Sequence, residues 1–282
     1  MAIKKLSEFL LFGSFFIAFC AVAFSMETNI MLGLPFNSFS FYCFIFGATI
    51  VQYNLHYLIK TNAVKGSERL MWSLRNKRLH YILFFFGCAL IIFSLFNFQL
   101  QHFYILLFLG AISFLYSFPY LPFTKKRRIK DYGFLKIVTL SLLWTLVTVW
   151  LPVSTWTYDL SLYWFIFVKR FVFMFILCLL FDIRDIEIDK SETIKTLAVM
   201  LGKKKSYRLS YSLLFFFVLL SFIQYMFFPQ PGFLFAMLLS SVATYLIIGM
   251  TKKSNSDFVF LAGIDGMMLV QALLIYLFSF KM

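Results

Sequence analysis

The sequence predicts an all-α integral membrane protein with about nine transmembrane helices. Three observations lead there: an apolar composition, the arrival of apolar residues in long blocks, and the placement of cations at alternate block ends. The chain has 282 residues, of which 62% are hydrophobic and only 13% charged, whereas soluble domains run to roughly half apolar and about a quarter charged. The blocks approach the ~20 residues that cross a hydrocarbon core of about 30 Å as a helix. Lipid offers backbone amides no partner, so each block must be a helix or part of a closed barrel, and the continuous runs lack a barrel's alternation.

In chain order the spans fall near Leu6–Ala23, Phe36–Leu58, Tyr81–Phe96, Phe103–Phe118, Leu135–Trp150, Tyr163–Leu180, Leu209–Phe228, Gly232–Met250 and Phe258–Phe280. The first begins after Lys4 and Lys5, as a signal peptide does, but it is longer than a signal core and lacks an A-x-A site, so a retained anchor is expected. All but three of the 26 Lys and Arg lie at Lys4–Lys5, Lys60–Arg78, Lys125–Lys136, Arg184–Arg208 and Lys252–Lys253. Those are alternate span ends, so the positive-inside rule places the N-terminus in the cytoplasm and the C-terminus outside. The bacterial cytoplasmic membrane is the expected location, with the polar site on its cytoplasmic side.

The formal charge of +14 sits in short loops beside apolar spans and not in a basic domain, which excludes nucleic acid and points to anionic lipid head groups. Cys20, Cys43, Cys88 and Cys178 are scattered through the spans without a C-x-x-C pair and read as packing residues. No linker or soluble appendage is visible, and residues 1–282 read as one transmembrane domain. Two longer polar connections, after the second and sixth spans, suggest two four-helix halves with a ninth helix added.

Chemistry is densest in FDIRDIEIDKSETIKTLAVMLGKKK, where the sixth span ends. Asp182, Asp185 and Asp189, spaced i, i+3, i+7, would share one stripe of a continuing helix, with Glu187 on the other side. Packed anions raise one another's pKa unless a cation joins them. A divalent ion is one solution, and oxygen-only ligands suit Mg²⁺, which completes its shell with substrate phosphate. The alternative is a solvated helix end whose acids pair with Arg184, Lys190 and Lys195.

The pattern D-x-x-D-x-x-x-D followed by Thr-Leu, Leu-Gly and basic residues resembles the second aspartate-rich motif of the UbiA superfamily of intramembrane prenyltransferases. The resemblance implies a UbiA-like bundle that binds an isoprenoid diphosphate through Mg²⁺ and transfers the prenyl group to a lipophilic, often aromatic, acceptor. By position it makes Asp185 and Asp189 the catalytic, metal-binding pair and Asp182 a further metal ligand. Many members have a glycine where this chain has Thr193, so the local turn is expected to differ.

The family's first motif, N-D-x-x-D-x-x-x-D, corresponds to YNLHYLIKTNAVKGSERL, in which Asn54 fits the leading asparagine but the acids become Leu55, Leu58 and Asn62. Cations stand there instead: Lys60, Lys65, Arg69 and, further on, Arg75, Lys77 and Arg78. Asn54, Lys60 and Arg69 are therefore expected substrate contacts. His56 reads as a local hydrogen-bonding group and Glu68 as an exposed partner of Arg69. After the fourth span, LYSFPYLPFTKKRRIKDYGFLK offers Tyr116, Ser117, Lys125, Lys126 and Arg127 as diphosphate contacts by the same resemblance, although its cations also serve topology.

Asp265, inside the last span, either lines the same cavity or caps polar atoms in the packing. Lys169 and Arg170 are expected to snorkel to the outer interface. The 41 Phe residues suit lipid contact and packing alike and mark no pocket. Two functions follow: prenyl transfer, or a degenerate UbiA-like protein that binds an isoprenoid or serves as a subunit of a membrane complex. Transport is disfavoured, because few intramembrane charges mark a polar path.

Overall fold

A computed structural model of the chain describes residues 2–59, 68–117, 133–191 and 193–280, and among them every regular element is helical. Six helices are long and apolar enough to cross a membrane, and a seventh span forms if the bent pair at the N-terminus is counted as one. That pair is α1 (Ala2–Phe12) and α2 (Phe15–Met31), which meet at 58°. The first span thus reaches eight residues beyond its expected end at Ala23. The bend has a local cause: Ser14 takes φ 71°, ψ 15°, a left-handed conformation that cannot continue a right-handed helix.

The remaining long helices are α3 (Phe39–Ile59), α5 (Lys77–Leu95), α6 (Leu100–Ser117), α7 (Gly133–Thr145) continuing through a π-helical turn into α8 (Leu151–Val153), α9 (Leu160–Arg184), α12 (Lys203–Phe227), α13 (Pro231–Thr251) and α14 (Gly266–Ser279), the last preceded by a second π-helical turn at Val259–Ile264. Short helices α4 (Glu68–Arg75), α10 (Ile186–Ser191) and α11 (Leu197–Leu201) lie between them. α3 is long enough to span, but Gln52, Tyr53, Asn54 and His56 make its second half polar. α6 is apolar but short.

Neighbour to neighbour the helices run α6, α7, α9, α12, α13, α14, α2 and α3. Ser113 of α6 donates to the Gln52 carboxamide of α3 at 2.9 Å, closing the ring. α5 packs outside on α3, where Gly47 and Gly87 face each other so closely that a Cβ on either would lie 2.8 Å from the other's carbonyl oxygen. Small residues permit such backbone contact between membrane helices. In the first π-helical turn the Thr148 carbonyl accepts from Thr28 of α2 at 2.7 Å, tying two helices through a widened ladder. The core between the helices holds Phe24, Phe173, Phe217, Phe260, Ile45 and Ile137, whereas Phe215, Phe227 and Leu107 look outward.

Lys169 and Arg170 do not snorkel. Both are buried, at 3% and 2% exposure, because α2 carries a buried acid opposite them. Arg170 Nη2 lies 3.2 Å from Glu27 Oε1, its Nη1 donates to the Phe24 carbonyl at 3.1 Å, and its guanidinium stacks 3.6 Å over the Phe24 ring. Gln271 of α14 donates to the same Glu27 oxygen at 3.0 Å. The cluster joins three helices in the apolar interior, where a lone charge would be costly.

Candidate functional site

At one end of the bundle α9 runs out into the aspartate-rich segment. Asp182 still belongs to the helix and is buried at 4% exposure. The helix ends at Asp185, which has φ −90°, ψ 8°, and α10 follows directly at Ile186. The three aspartates do not all meet the same partner. Asp182 and Asp189 converge, while Asp185 turns to its neighbour Arg184, which holds it by two contacts, Nε to Oδ1 at 2.8 Å and Nη2 to Oδ2 at 3.3 Å.

What brings Asp182 and Asp189 together is Lys136, in the first turn of α7. Its ammonium lies 2.9 Å from Asp182 Oδ1 and 3.4 Å from Asp189 Oδ2. Burial pushes the Asp189 carboxyl above the usual carboxylate range, with Lys136 pulling the other way. Lys136 reaches this place because α7 starts at Gly133, packed against the backbone of Lys195 and Thr196 so tightly that a side chain there would collide. Thr196 in turn caps α11 and lies beside Asp189. The turn between α10 and α11 is made by Thr193 at φ 59°. The threonine thus adopts the left-handed conformation that glycine takes freely.

A second charged group lies beside the first. Arg184 Nη1 donates to Asp257 Oδ1 at 3.2 Å, and Asp257 Oδ2 accepts from the backbone amide of Arg69 at 2.9 Å. Arg69 is buried, stacks 4.7 Å from the Tyr57 ring centroid and donates to Ser14 Oγ at 3.2 Å, so it pins the α1–α2 bend and does not pair with the exposed Glu68. Asp265, 9% exposed, is within electrostatic reach of Arg69 and Arg184. Tyr53, beside Trp144, and Tyr116, near Lys136, Asp182 and Asp189, bring aromatic rings to the same end.

Asn54 occupies the centre of a local knot. Its Nδ2 donates to the Gly13 and Ile50 carbonyls, and its Oδ1 lies 2.6 Å from His80 Nδ1. With no exposure and each polar atom engaged, it fastens α3 to the bend and to α5. His56 is exposed with its ring edge against Tyr57. Arg75, Lys77 and Arg78 are exposed. Glu187 pairs with Lys190 on the surface at 3.0 Å. Ser117 ends α6, with its side chain outside the description, and Lys60, Lys65, Lys125, Lys126 and Arg127 lie outside the described residues. The sequence reading missed Lys136 and Asp257 as members of the cluster, and named Arg184 as a partner of the acids. Lys136 was hidden in a basic run explained by topology, and Asp257 sits seventy-odd residues from its partner.

A model of the UbiA prenyltransferase family matches residues 76–262. The chain belongs to that family. Solved UbiA structures share its fold at low identity: a UbiA homologue from Aeropyrum pernix K1, 13% identical, covering 92% of this chain and 97% of that one with a TM-score of 0.66; a UbiA homologue from Archaeoglobus fulgidus bound to GPP and Mg²⁺, 15% identical, covering 97% and 98% with a TM-score of 0.61; and a structure of digeranylgeranylglyceryl phosphate synthase, 15% identical, covering 99% and 100% with a TM-score of 0.61. No curated protein sequence matches the chain.

The UbiA fold raises the question of a metal. Among the described residues no three His, Cys, Asp or Glu side chains stand together as a ready metal site. Two observations nevertheless fit one divalent ion. Asp182 Oδ2 is buried with no hydrogen-bond partner. Among the described residues, the carboxylates of Asp182, Asp185, Asp189, Asp257 and Asp265 also outnumber the cations Lys136, Arg184 and Arg69 that meet them. The donors fit a single ion on Asp182 and Asp189, its shell completed by water or phosphate oxygen. They do not fit a second ion on the α3 side, where Leu55 and Leu58 stand in place of acids.

Proposed function

We propose that this UbiA-family chain is a membrane prenyltransferase that takes an isoprenoid diphosphate at the Asp182–Lys136–Asp189 end of the bundle and transfers the prenyl group to a lipophilic acceptor. The observation that carries the reading is the convergence of Asp182, Asp189 and Lys136 at the mouth of a ring of apolar helices, beside a second cluster built on Arg184 and Arg69. That arrangement puts charge where a diphosphate head would lie and apolar helices where its tail would lie.

In this reading one Mg²⁺ held by Asp182 and Asp189 would supply charge neutralisation of the departing diphosphate. The chain's own residues do the rest. Lys136, Arg184 and Arg69 hold phosphate oxygens by charge-assisted hydrogen bonds, lowering the energy of the leaving group as the allylic carbon loses it. The faces of Tyr53 and Tyr116 stabilise the positive charge that develops on the prenyl group. Lys60, Lys125, Lys126 and Arg127 are proposed further contacts to the head group. Asn54 acts at one remove, by holding α3 against the α1–α2 bend.

The same reading makes the chain one domain of nine spans, counting α1–α2 as one and including α3 and α6, with the N-terminus and the site in the cytoplasm of a bacterial cell and the C-terminus outside. The loss of acids at positions 55 and 58 favours a second reading, a UbiA-fold protein that binds an isoprenoid or joins a membrane complex without turnover. Purified protein supplied with prenyl diphosphates of several lengths and a panel of lipophilic acceptors separates the two. Prenylated product that disappears in Asp182→Asn and Asp189→Asn supports transfer. Diphosphate binding without product favours the second reading, and failure of the protein to bind any prenyl diphosphate overturns the transfer reading.

A further inference from the structure

The pair Asp182–Asp189 is already bridged by a cation of the chain's own, and that ammonium holds the position from which a divalent ion would contact both carboxylates. Lys136 is well suited to leave it. Its side chain is 21% exposed against 6% for that of Asp182, so the carboxylate is fixed in the interior while the ammonium lies at the rim. The lysine stem is a flexible four-carbon arm bearing a point charge, free of the planar fork that locks an arginine in place. The unpartnered Asp182 Oδ2 shows that Lys136 satisfies the pair incompletely: one ammonium leaves a buried carboxylate oxygen without a donor, so an ion that takes its place has an oxygen to gain that Lys136 does not use.

We propose that Lys136 is the resident counter-ion of the Asp182–Asp189 pair and competes with a divalent metal ion for it. In the protein without substrate the lysine neutralises the carboxylates and keeps the metal affinity low. An ion enters only as Lys136 withdraws, and the withdrawn ammonium then faces the phosphate oxygens that arrive with the ion. Metal and diphosphate consequently bind together better than either alone. The inference rests on the site assignment above and adds how its metal occupancy is controlled.

The test needs no turnover. Lys136→Met keeps the unbranched stem and removes the ammonium, Lys136→Arg keeps the charge, and Lys136→Met/Asp189→Asn removes half of the carboxylate pair. Each purified protein is titrated with Mn²⁺ or Mg²⁺ in the absence of diphosphate, and its thermal midpoint is read in EDTA and in excess Mg²⁺. Lys136→Met is expected to bind the ion at least about tenfold more tightly than the wild type, because binding no longer displaces a resident charge. Its midpoint falls in EDTA and recovers with Mg²⁺, while the Arg variant, whose fork stays on the carboxylates, binds the ion no more tightly than the wild type and the double variant loses the gain. If Lys136→Met cannot be purified in EDTA, recovery of folded protein when Mg²⁺ is present throughout supports the proposal, and no recovery overturns it. An affinity equal to that of the wild type, or a lowered midpoint that Mg²⁺ leaves unmoved, overturns it as well. A protein that shows the competition yet transfers no prenyl group overturns the transfer reading alone. One that transfers while its metal affinity ignores residue 136 overturns only the competition.

Discussion

Gly133 lies against the backbone of Lys195, so close that a methyl group on it would strike the Lys195 carbonyl and sit 2.9 Å from the amide nitrogen of Thr196. The contact sets the start of α7 and thereby the reach of Lys136 one turn later. Gly133→Ala is expected to cost about 1–3 kcal/mol, the range for forced overpacking, and to weaken prenyl-diphosphate binding in parallel. Gly110→Ala, at a helical site with nothing near its Cβ, should instead stabilise by up to about 1 kcal/mol. Thermal or denaturant unfolding of both variants in the same detergent checks the pair.

Thr193 predicts a gain. A β-branched residue in the left-handed region pays about 1–2 kcal/mol that glycine does not, and part of the saving is returned as the entropy of a freer unfolded chain. Thr193→Gly should therefore raise stability by roughly 0.5–1 kcal/mol, while Thr193→Val lowers it. A Thr193→Gly midpoint at or below that of the wild type would show that the exposed threonine side chain contributes something the backbone angle does not reveal.

The acids of the motif should separate by environment. Asp182, buried and half-satisfied, is expected to cost about 100-fold or more in kcat when changed to Asn, the scale of losing a preorganised electrostatic contact. Glu187, on the surface with Lys190, should tolerate Gln with less than about a twofold change. Equal losses in the two variants would remove the reason for placing the chemistry at Asp182.

The interior pair predicts strong non-additivity. Arg170→Met leaves the Glu27 carboxylate unpaired inside the bundle and should cost about 3–5 kcal/mol, as should Glu27→Met, whereas the double variant should lose much less than the sum of the two. A double-mutant cycle by unfolding in detergent reads the coupling directly.

Much of this architecture was legible in the residues. The apolar blocks located the helices, and the Asp182–Asp189 spacing located the segment where chemistry gathers. Local pattern failed where tertiary contact decides. The bend at Ser14 is announced only by the Gly13–Ser14 pair, and it is held by Arg69 and Asn54, far away in sequence. Periodicity put the three aspartates before one space, but the guanidinium of Arg184 pairs with Asp185 while Asp182 and Asp189 meet Lys136. Lys136 read as one more cation on the positive side because its partners lie about fifty residues downstream. Lys169 and Arg170 read as snorkelling because Glu27 fell past the expected end of the first span.

The burial of Glu27 against Arg170 bears on how the protein is made. α2 emerges from the ribosome more than a hundred residues before α9, so during synthesis an acidic helix must wait in or beside the insertion machinery for the basic helix that neutralises it. A nascent chain stalled between the two is therefore expected to be more readily extracted at alkaline pH than the finished protein.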